Sequence, residues 1–292
     1  MLKTNKIYNM DAIEGLKQIE TDSADCVLLD PPYNIGKDFG NNKTKKEINE
    51  YVNWSSQWIE ESKRILKPSG TMFIYGFSEI LAHLSVNLNM DHRWLVWHYT
   101  NKTVPSLNFW QRSHESILCA WHDKNQRIFH RDAVREPYTD TFIKGYSGKN
   151  ANRARPKTTG RMQSGDKNTI YKVNEKGALP RDVLKHSSLA GGAGRKERVF
   201  YCRKCQQAYH PREMNNHKEH KEDILKHPTQ KPLRLTTRLI ESCMPENGLV
   251  VVPFVGSGSE INVSMRLGHN YIGFELNKEY FKLIEFFIKN QL

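Results

Sequence analysis

The 292-residue sequence predicts an α/β fold with a doubly wound, mostly parallel sheet and a basic, loop-rich insertion. Residues 26–29 and 248–252 are short apolar runs bounded by turn residues, which is typical of buried parallel strands. Strand-like and helix-like segments alternate around both runs, as crossover connections require. The alternation is lost from about residue 123 to residue 226, which indicates an insertion.

The alternation begins at the start of the chain. Residues 7–11 predict a strand with an acidic turn, and apolar side chains at helical spacing predict a helix over 12–19. A longer helix is predicted from residue 51 to residue 66, where the breakers at 67–70 end it. The remaining predicted elements of this half are a strand at 70–76, a helix at 78–88, and strands at 93–99 and 116–121.

The same alternation returns after residue 226. Pro232 leads into a predicted helix at 233–243, and the apolar strand at 248–252 follows it. A glycine-rich turn then leads to a helix that ends at Leu267. The last predicted strand covers 271–275 and ends in Glu275.

The positive charge is concentrated in the insertion. The whole chain carries a net charge of +12, and residues 143–226 contain 20 Lys or Arg against 8 Asp or Glu, so the two flanking parts together are neutral. A basic block within a neutral frame predicts a surface that binds a polyanion, with nucleic acid the first candidate. The alternative is a solvated basic surface without a partner.

Targeting and cysteine patterns indicate a cytoplasmic protein. No apolar run approaches the roughly 20 residues that a membrane span requires, and the first residues lack the apolar segment of a signal peptide. Five cysteines, an odd number, argue against a disulfide framework and leave thiols for packing or for metal binding.

The segment Asp30-Pro31-Pro32-Tyr33 follows the first apolar strand and forms the centre of the predicted site. Because two prolines fix φ and lack N–H groups, the backbone leaves the sheet as a stiff segment whose carbonyl groups remain acceptors. Such a segment suits a flat ring that bears an exocyclic amine. Asp30 and the Pro31 carbonyl can accept the two amine hydrogens, and Tyr33 can stack on the ring.

A second candidate site lies at the glycine-rich turn after the second apolar strand. Phe254, Gly256, Ser257 and Gly258 lead into a helix, where glycines let the backbone approach a ligand at the helix N-terminus. Glu275 has the position that binds a ribose in doubly wound folds. Since no Lys-Ser/Thr pair follows the glycines, the pattern indicates a cofactor without phosphates.

Asp11, in the turn after the first strand, has two interpretations. Its carboxylate could accept a hydrogen bond from an adenine amine or a ribose hydroxyl of a cofactor. It could equally cap the helix that follows. The residue alone leaves both interpretations open.

Two closely spaced cysteines in the insertion predict a zinc site. Cys202 and Cys205 have the spacing of a zinc knuckle, and His217 and His220 could complete a tetrahedral set. His210 is a competing ligand, and the spacing differs from that of a usual zinc finger. The alternative is a turn with reduced thiols and surface histidines.

Taken together, these motifs resemble those of the beta-class DNA amino-methyltransferases, in which the catalytic tetrad precedes the cofactor loop. The resemblance covers residues 7–121 and 227–292 and leaves the insertion unmatched. It implies a Rossmann-like methyltransferase core and a target base held by the Asp-Pro-Pro-Tyr tetrad. The segment Arg112-Ser113-His114-Glu115 is similar to a family segment near the flipped base.

The resemblance also implies S-adenosyl-L-methionine as the cofactor. Phe254, Gly256 and Gly258 match the family's cofactor motif. The full set of residues predicted to bind the cofactor is Asp11, Lys231, Phe254, Gly256, Ser257, Gly258 and Glu275. Two positions depart from the family pattern, since Val252 stands where an aspartate is usual and Met10 where a glycine is usual.

The resemblance divides the chain into three predicted regions. Residues 1–125 form the catalytic half of the core, residues 126–226 form an inserted region that recognises the DNA target, and residues 227–292 form the cofactor-binding half. The predicted partners are double-stranded DNA and a cognate restriction endonuclease, with a homodimer left open.

The predicted activity is methylation of adenine N6 on a flipped-out base, within a restriction-modification system. Cytosine-N4 methylation is the nearest alternative, but family members that act on cytosine commonly carry serine where this chain has Asp30. A protein of a different class, a non-catalytic zinc-dependent nucleic-acid binder on a methyltransferase-like core, also stays open because of Val252.

Overall fold

The computed structural model describes residues 2–34, 45–101, 105–148, 172–189, 196–209 and 220–290. The chain forms two compact units, one of Met1–Phe129 with Asp182–Leu292 and the other of His130–Arg181. The predicted region boundaries at residues 125 and 226 stay a prediction. None of the helices formed by described residues has the length and apolar character needed to cross a membrane.

An eight-stranded sheet forms the centre of the larger unit. Its strands lie in the order β1-β11-β10-β2-β3-β5-β4-β6. Their bounds are β1 Lys6–Tyr8, β2 Ala24–Leu29, β3 Leu66–Gly76, β4 Asp91–His98, β5 His114–Trp121, β6 Val183–Lys185, β10 Leu249–Val252 and β11 Asn270–Phe274. A separate sheet has the order β8-β7-β9, with β7 Phe200–Cys202, β8 Gln207–Tyr209 and β9 Ile224–Lys226.

Helices pack on the sheet of the larger unit. They are α1 Ala12–Leu16, α2 Ile48–Ile65, α3 Ser78–Asn87, α5 Leu233–Cys243, α6 Ser259–Arg266 and α7 Lys278–Asn290. The remaining helix, α4 Asp140–Tyr146, belongs to the smaller unit and begins at a Thr139 cap whose hydroxyl accepts from the Phe142 N–H.

The strand directions confirm the predicted mostly parallel sheet. Strands β1, β11, β10, β2 and β3 are parallel neighbours, whereas β5 runs antiparallel to both β3 and β4. Because parallel strands point the same way, the residues that follow β1, β2, β10 and β11 meet at one edge. Asp11, Asp30, Phe254 and Glu275 are therefore presented along the same side of the sheet.

The middle strand β2 is buried along its whole length and separates two apolar clusters. Its one charged residue, Asp25, is also buried and is fully paired: Lys67 Nζ lies 2.8 and 2.9 Å from its two oxygens, and the Leu249 N–H donates to Oδ2 at 2.8 Å. Asp25 therefore joins β2 to both of its neighbours in the sheet.

Three features differ from the sequence prediction. The helix-breaking residues 67–70 were predicted to separate a helix from a strand, but they lie within β3, which begins at Leu66. They cause a register shift between β2 and β3: Ala24 pairs with Leu66, whereas Cys26 pairs with Thr71. β6, from a segment without periodicity, extends the sheet beside β4. The amphipathic helix α7 was not predicted at all.

Candidate active site

An ion pair between Lys231 and Asp30 forms the centre of the site. The Nζ atom of Lys231 lies 2.7 Å from both carboxylate oxygens of Asp30, and the Lys231 side chain is only 2 % exposed. Asp30 follows β2 directly, and Lys231 precedes α5. The sequence predicted Lys231 as a cofactor contact, whereas the structure places its ammonium on the tetrad aspartate.

Tyr33 and Glu115 extend this pair into a network. The buried Tyr33 hydroxyl donates to Asp30 Oδ1 at 2.8 Å and lies 2.9 Å from Glu115 Oε2. Tyr99 donates to the other Glu115 oxygen at 2.5 Å. A phenol has one hydrogen, so Tyr33 can serve only one of its two carboxylates at a time. The tetrad side chains are thus held in place by charged and hydrogen-bonded partners.

The backbone of the tetrad is fixed as well. The Pro32 carbonyl accepts a hydrogen bond from Tyr51 at 2.8 Å, and Tyr51 belongs to α2. The Tyr33 ring packs edge-on against Phe77, with ring centroids 5.2 Å apart. Arg112 stacks over the same Phe77 ring, with its guanidinium carbon 4.1 Å from the ring centre, and pairs with Glu79.

A third carboxyl group, Glu260, lies in the first turn of α6 and is 3 % exposed. Burial, reinforced by the charge of Asp30, raises the pKa of Glu260 to about 7. Its Oε1 atom has no hydrogen-bond partner among the described residues. Asp30 and Glu115 lie within 4 Å of the ammonium of Lys231, and Glu260 also stabilises its charge, so carboxyl groups outnumber the ammonium and the site favours a cationic ligand.

The pair is stable because each charge compensates the burial of the other. Burial alone lowers the pKa of Lys231, but Asp30, Glu115 and Glu260 outweigh it, so the pKa is raised and the amine stays protonated at neutral pH. Burial also raises the pKa of Asp30, and Lys231 opposes that increase. Removing one partner would leave a buried charge without compensation.

The glycine turn predicted to bind a cofactor lies next to this network. β10 pairs directly with β2, and Ser259 at the start of α6 donates to the Lys231 carbonyl at 2.9 Å. Gly256 and Gly258 have φ of 56° and 84°, in the left-handed region that favours glycine. A Cβ on Gly256 would lie 2.9 Å from His227 Nε2, so only glycine fits there.

The other predicted cofactor residues already have partners within the chain. Glu275 accepts from the N–H groups of Gly256 and Asn277, each at 2.8 Å, and so fixes the glycine turn. Phe254 packs against Trp54 and Trp58, and the Ser257 hydroxyl lies 3.2 Å from that of Ser259.

Asp11 caps α1. Its Oδ1 atom accepts from the N–H of Ile13 at 2.8 Å and from that of Glu14 at 3.3 Å. The capping interpretation is thus confirmed, while the cofactor role stays a prediction.

The predicted metal ligands gather elsewhere, on the three-stranded sheet. The ligand atoms of Cys202, Cys205 and His220 all lie within 4.8 Å of one another. His217 and the competing His210 lie outside the described residues.

Several residues of the site were not found from the sequence. These residues lie in ordinary helices and strands or directly next to one: Tyr51, Phe77, Tyr99 and Glu260. Their positions in the sequence predict only packing or, for Glu260, a favourable charge near a helix N-terminus. Only the three-dimensional structure brings them to the tetrad.

Comparison with known proteins identifies the family. A family model described as DNA methylase matches residues 24–286. This chain belongs to the DNA methylase family. It is 30 % identical over 278 residues to the type II methyltransferase M.HpaI of Haemophilus parainfluenzae, and the match covers 94 % of this chain and 70 % of the relative. It is 26 % identical to the DNA adenine methyltransferase YhdJ of Escherichia coli, over 95 % of this chain and 80 % of the relative.

Solved structures of other proteins share the fold. The PvuII DNA methyltransferase, which is cytosine-N4-specific, has a TM-score of 0.63 at 16 % identity, and the match covers 98 % of this chain and 86 % of the other. TTHA0409 of Thermus thermophilus, solved with S-adenosyl-L-methionine, has a TM-score of 0.56 at 16 % identity over 98 % and 93 %. The predicted Rossmann-like methyltransferase core is thereby confirmed.

Glu260 gives the stability of this DNA methylase a testable dependence on pH. Its pKa rises from an ordinary 4.5 to about 7 on folding, so folding favours the protonated form. The stabilisation is complete below the unfolded pKa and is lost as the pH rises towards 7. Between about pH 5 and about pH 7.5, we expect the free energy of unfolding to fall by about 2 kcal/mol more in the wild type than in Glu260→Gln.

Urea unfolding at a series of pH values measures this difference. Glu20→Gln, a change at an exposed glutamate, is the matched control and should follow the wild type. Parallel curves for the wild type and Glu260→Gln would show that Glu260 does not titrate in this range.

Proposed function

We propose that this DNA methylase transfers a methyl group from S-adenosyl-L-methionine to the N6 amine of adenine, on a base turned out of double-stranded DNA. The observation that carries the proposal is the position of Asp30: its carboxylate ends the strand next to the glycine turn and lies within a cluster of three carboxyl groups and one ammonium. A buried acceptor for an amine thus lies beside a site that favours a cation.

The tetrad supplies the acceptors for the target amine. A carboxylate has about four lone-pair positions, so Asp30 can accept from the base while Lys231 and Tyr33 hold it. The Pro31 carbonyl is the second proposed acceptor, and the Tyr33 ring the proposed stacking partner. Since a base inside a duplex cannot reach buried groups, the nucleotide must leave the stack first.

The residues around the glycine turn fit the proposed cofactor. Gly256 and Gly258 adopt the left-handed conformation that the tight turn requires, and Glu275 and Asp11 offer carboxylate oxygens suited to ribose and adenine groups. The carboxyl cluster suits a sulfonium cation, and TTHA0409, with the same fold, is named as a complex with this cofactor. When bound, S-adenosyl-L-methionine supplies a methyl group activated by its positively charged sulfur.

Catalysis then follows from positioning and electrostatics. Asp30 and the Pro31 carbonyl draw the N–H bonds out of the ring plane, which localises the nitrogen lone pair for attack. Asp30 accepts the proton that the amine gives up as the N–C bond forms and the C–S bond breaks, and passes it to water. No covalent enzyme intermediate is needed, since the tetrad only has to hold the amine in line with the methyl group.

The basic insertion is proposed to hold the DNA and read its sequence. Its excess of positive charge suits phosphate contacts, which supply much of the affinity of DNA-binding proteins. Relatives such as M.HpaI are named type II methyltransferases, which supports a place in a restriction-modification system beside a cognate endonuclease.

The modified base distinguishes adenine from cytosine methylation. Asp30 favours adenine by resemblance, and YhdJ is named an adenine methyltransferase. We expect DNA from cells that express the protein to contain N6-methyladenine at one short sequence, measured by nucleoside mass spectrometry and by sequencing of modified bases. N4-methylcytosine in its place would establish the alternative, and unmodified DNA would favour the non-catalytic binder.

The role of Asp30 is tested by Asp30→Asn, which keeps the shape of the side chain but removes its charge. We expect kcat/KM for methyl transfer to fall by about 10² to 10⁴-fold, and by far more than the affinity for S-adenosyl-L-methionine measured by isothermal titration, since Glu115 and Glu260 still compensate Lys231 in the variant. Asp91→Asn, at an exposed aspartate, is the matched control. Full activity of Asp30→Asn would refute the role assigned to the tetrad.

The role of the insertion is tested through the salt dependence of DNA binding. Lys172, Lys176 and Lys185 are exposed, and changing all three to Gln should flatten the slope of log K against log salt by about 0.9 for each phosphate that is no longer neutralised. The matched control changes Lys3, Lys6 and Lys17, exposed residues of the neutral flanks, and should leave the slope unaltered. An equal slope in both triple variants would contradict the proposal.

A further inference from the structure

We infer that Cys202, Cys205 and His220 bind a structural zinc ion. Cys205 Sγ lies 3.1 Å and Cys202 Sγ 3.6 Å from His220 Nδ1, and the three ligand atoms all fall within 4.8 Å. Tetrahedral zinc, with sulfur at about 2.3 Å and nitrogen at about 2.0 Å, places a sulfur and a nitrogen ligand about 3.6 Å apart. The three side chains therefore already surround a point that zinc can occupy.

The turn between the cysteines is shaped to present both sulfurs. The Cys205 N–H donates to Cys202 Sγ at 3.4 Å, and the Gln206 N–H donates to the Cys202 carbonyl at 2.8 Å. Gln206 has a φ of 54°, in the left-handed region that a residue with a side chain rarely adopts. This turn wraps the backbone around Cys202 and points both thiols to the side from which His220 approaches.

The sheet that carries these ligands is small and depends on contacts outside its own strands, such as the ion pair between Arg203 and Glu279 and the burial of Tyr201 and Ala208 in a core cluster. Each of its strands is three residues long, and such a small sheet is marginal without additional contacts. Cys202 pairs with Gln207 of β8 on one side and with Ile224 of β9 on the other. A bound ion would join the β7–β8 turn to the residues just before β9, and so add a cross-link to this small sheet.

The same sheet supports the segment that carries Lys231. β9 ends at Lys226, directly before this segment, and the Gln230 side chain accepts from the Val199 N–H at 3.1 Å and donates to the Glu197 carbonyl at 2.8 Å. Since both partners lie just before β7, the sheet holds the segment at both ends. The proposed ion is structural and takes no part in methyl transfer.

The ligand set selects the metal. Two thiolates and an imidazole favour zinc over magnesium or calcium, which prefer oxygen ligands. We base this inference on the three ligands that the described residues bring together.

Metal content of the purified full chain, after removal of any affinity tag, tests the inference. We expect about one zinc per chain in the wild type by plasma mass spectrometry, and a fall to about a tenth or less in Cys202→Ser, Cys205→Ser and His220→Gln. Cys119→Ser and His122→Gln, which change the same residue types outside the cluster, should keep the zinc. A wild type without zinc, or unchanged zinc in all three ligand variants, would overturn the inference.

The wild type alone provides a second test, because a ligand variant can also fail to fold. After zinc is removed with a chelator, we expect Tm to fall and zinc to restore it, while Co²⁺ added instead should give thiolate-to-metal charge-transfer absorption. An unchanged Tm together with a cobalt spectrum that lacks these bands would overturn the inference. Neither measurement depends on methyl transfer, so the outcome is independent of the proposed activity.

Discussion

The ion pair between Lys231 and Asp30 is the interaction on which the rest of the site depends. It joins residues 201 positions apart and links the end of β2 to the segment before α5. A buried ammonium is tolerated only with carboxylates around it, and a buried carboxylate only with a cation beside it, so neither half is stable alone. The Ser259 hydroxyl, next to the glycine turn, donates to the Lys231 carbonyl. The segment that carries Lys231 therefore also fixes the glycine turn beside the tetrad.

The parallel sheet makes this arrangement possible. β2 has β10 on one side and β3 on the other, and the residues that leave β2 and β10 reach the same edge. This is where ligands bind in open α/β sheets, because the connections diverge and leave a crevice. The tetrad and the glycine turn therefore need no special loop to meet, since the pairing of their strands already places them side by side.

The acidic groups of the site and the excess of basic residues lie in different parts of the sequence, and each suits a different ligand. The site concentrates carboxyl groups around one buried lysine, which suits a cationic methyl donor, whereas the excess of basic residues lies in 143–226, which suits phosphates. The division of charge is thus consistent with one protein that binds both DNA and a cationic cofactor.

Local sequence patterns were enough to predict the tetrad, the glycine turn and the sheet strands that lead to them. The reason is that the spacing of apolar residues, the stiffness of proline and the conformational freedom of glycine all act over a few residues. They also predicted Cys202, Cys205, His217 and His220 as metal ligands, of which the structure brings Cys202, Cys205 and His220 together, while His217 lies outside the described residues. The pairing of Lys231 with Asp30, and the place of Tyr51, Tyr99 and Glu260 in the site, emerged only from the three-dimensional fold. These contacts join elements that are far apart in the sequence. A local sequence pattern does not predict which distant residue will compensate a buried charge, because that depends on how the elements pack.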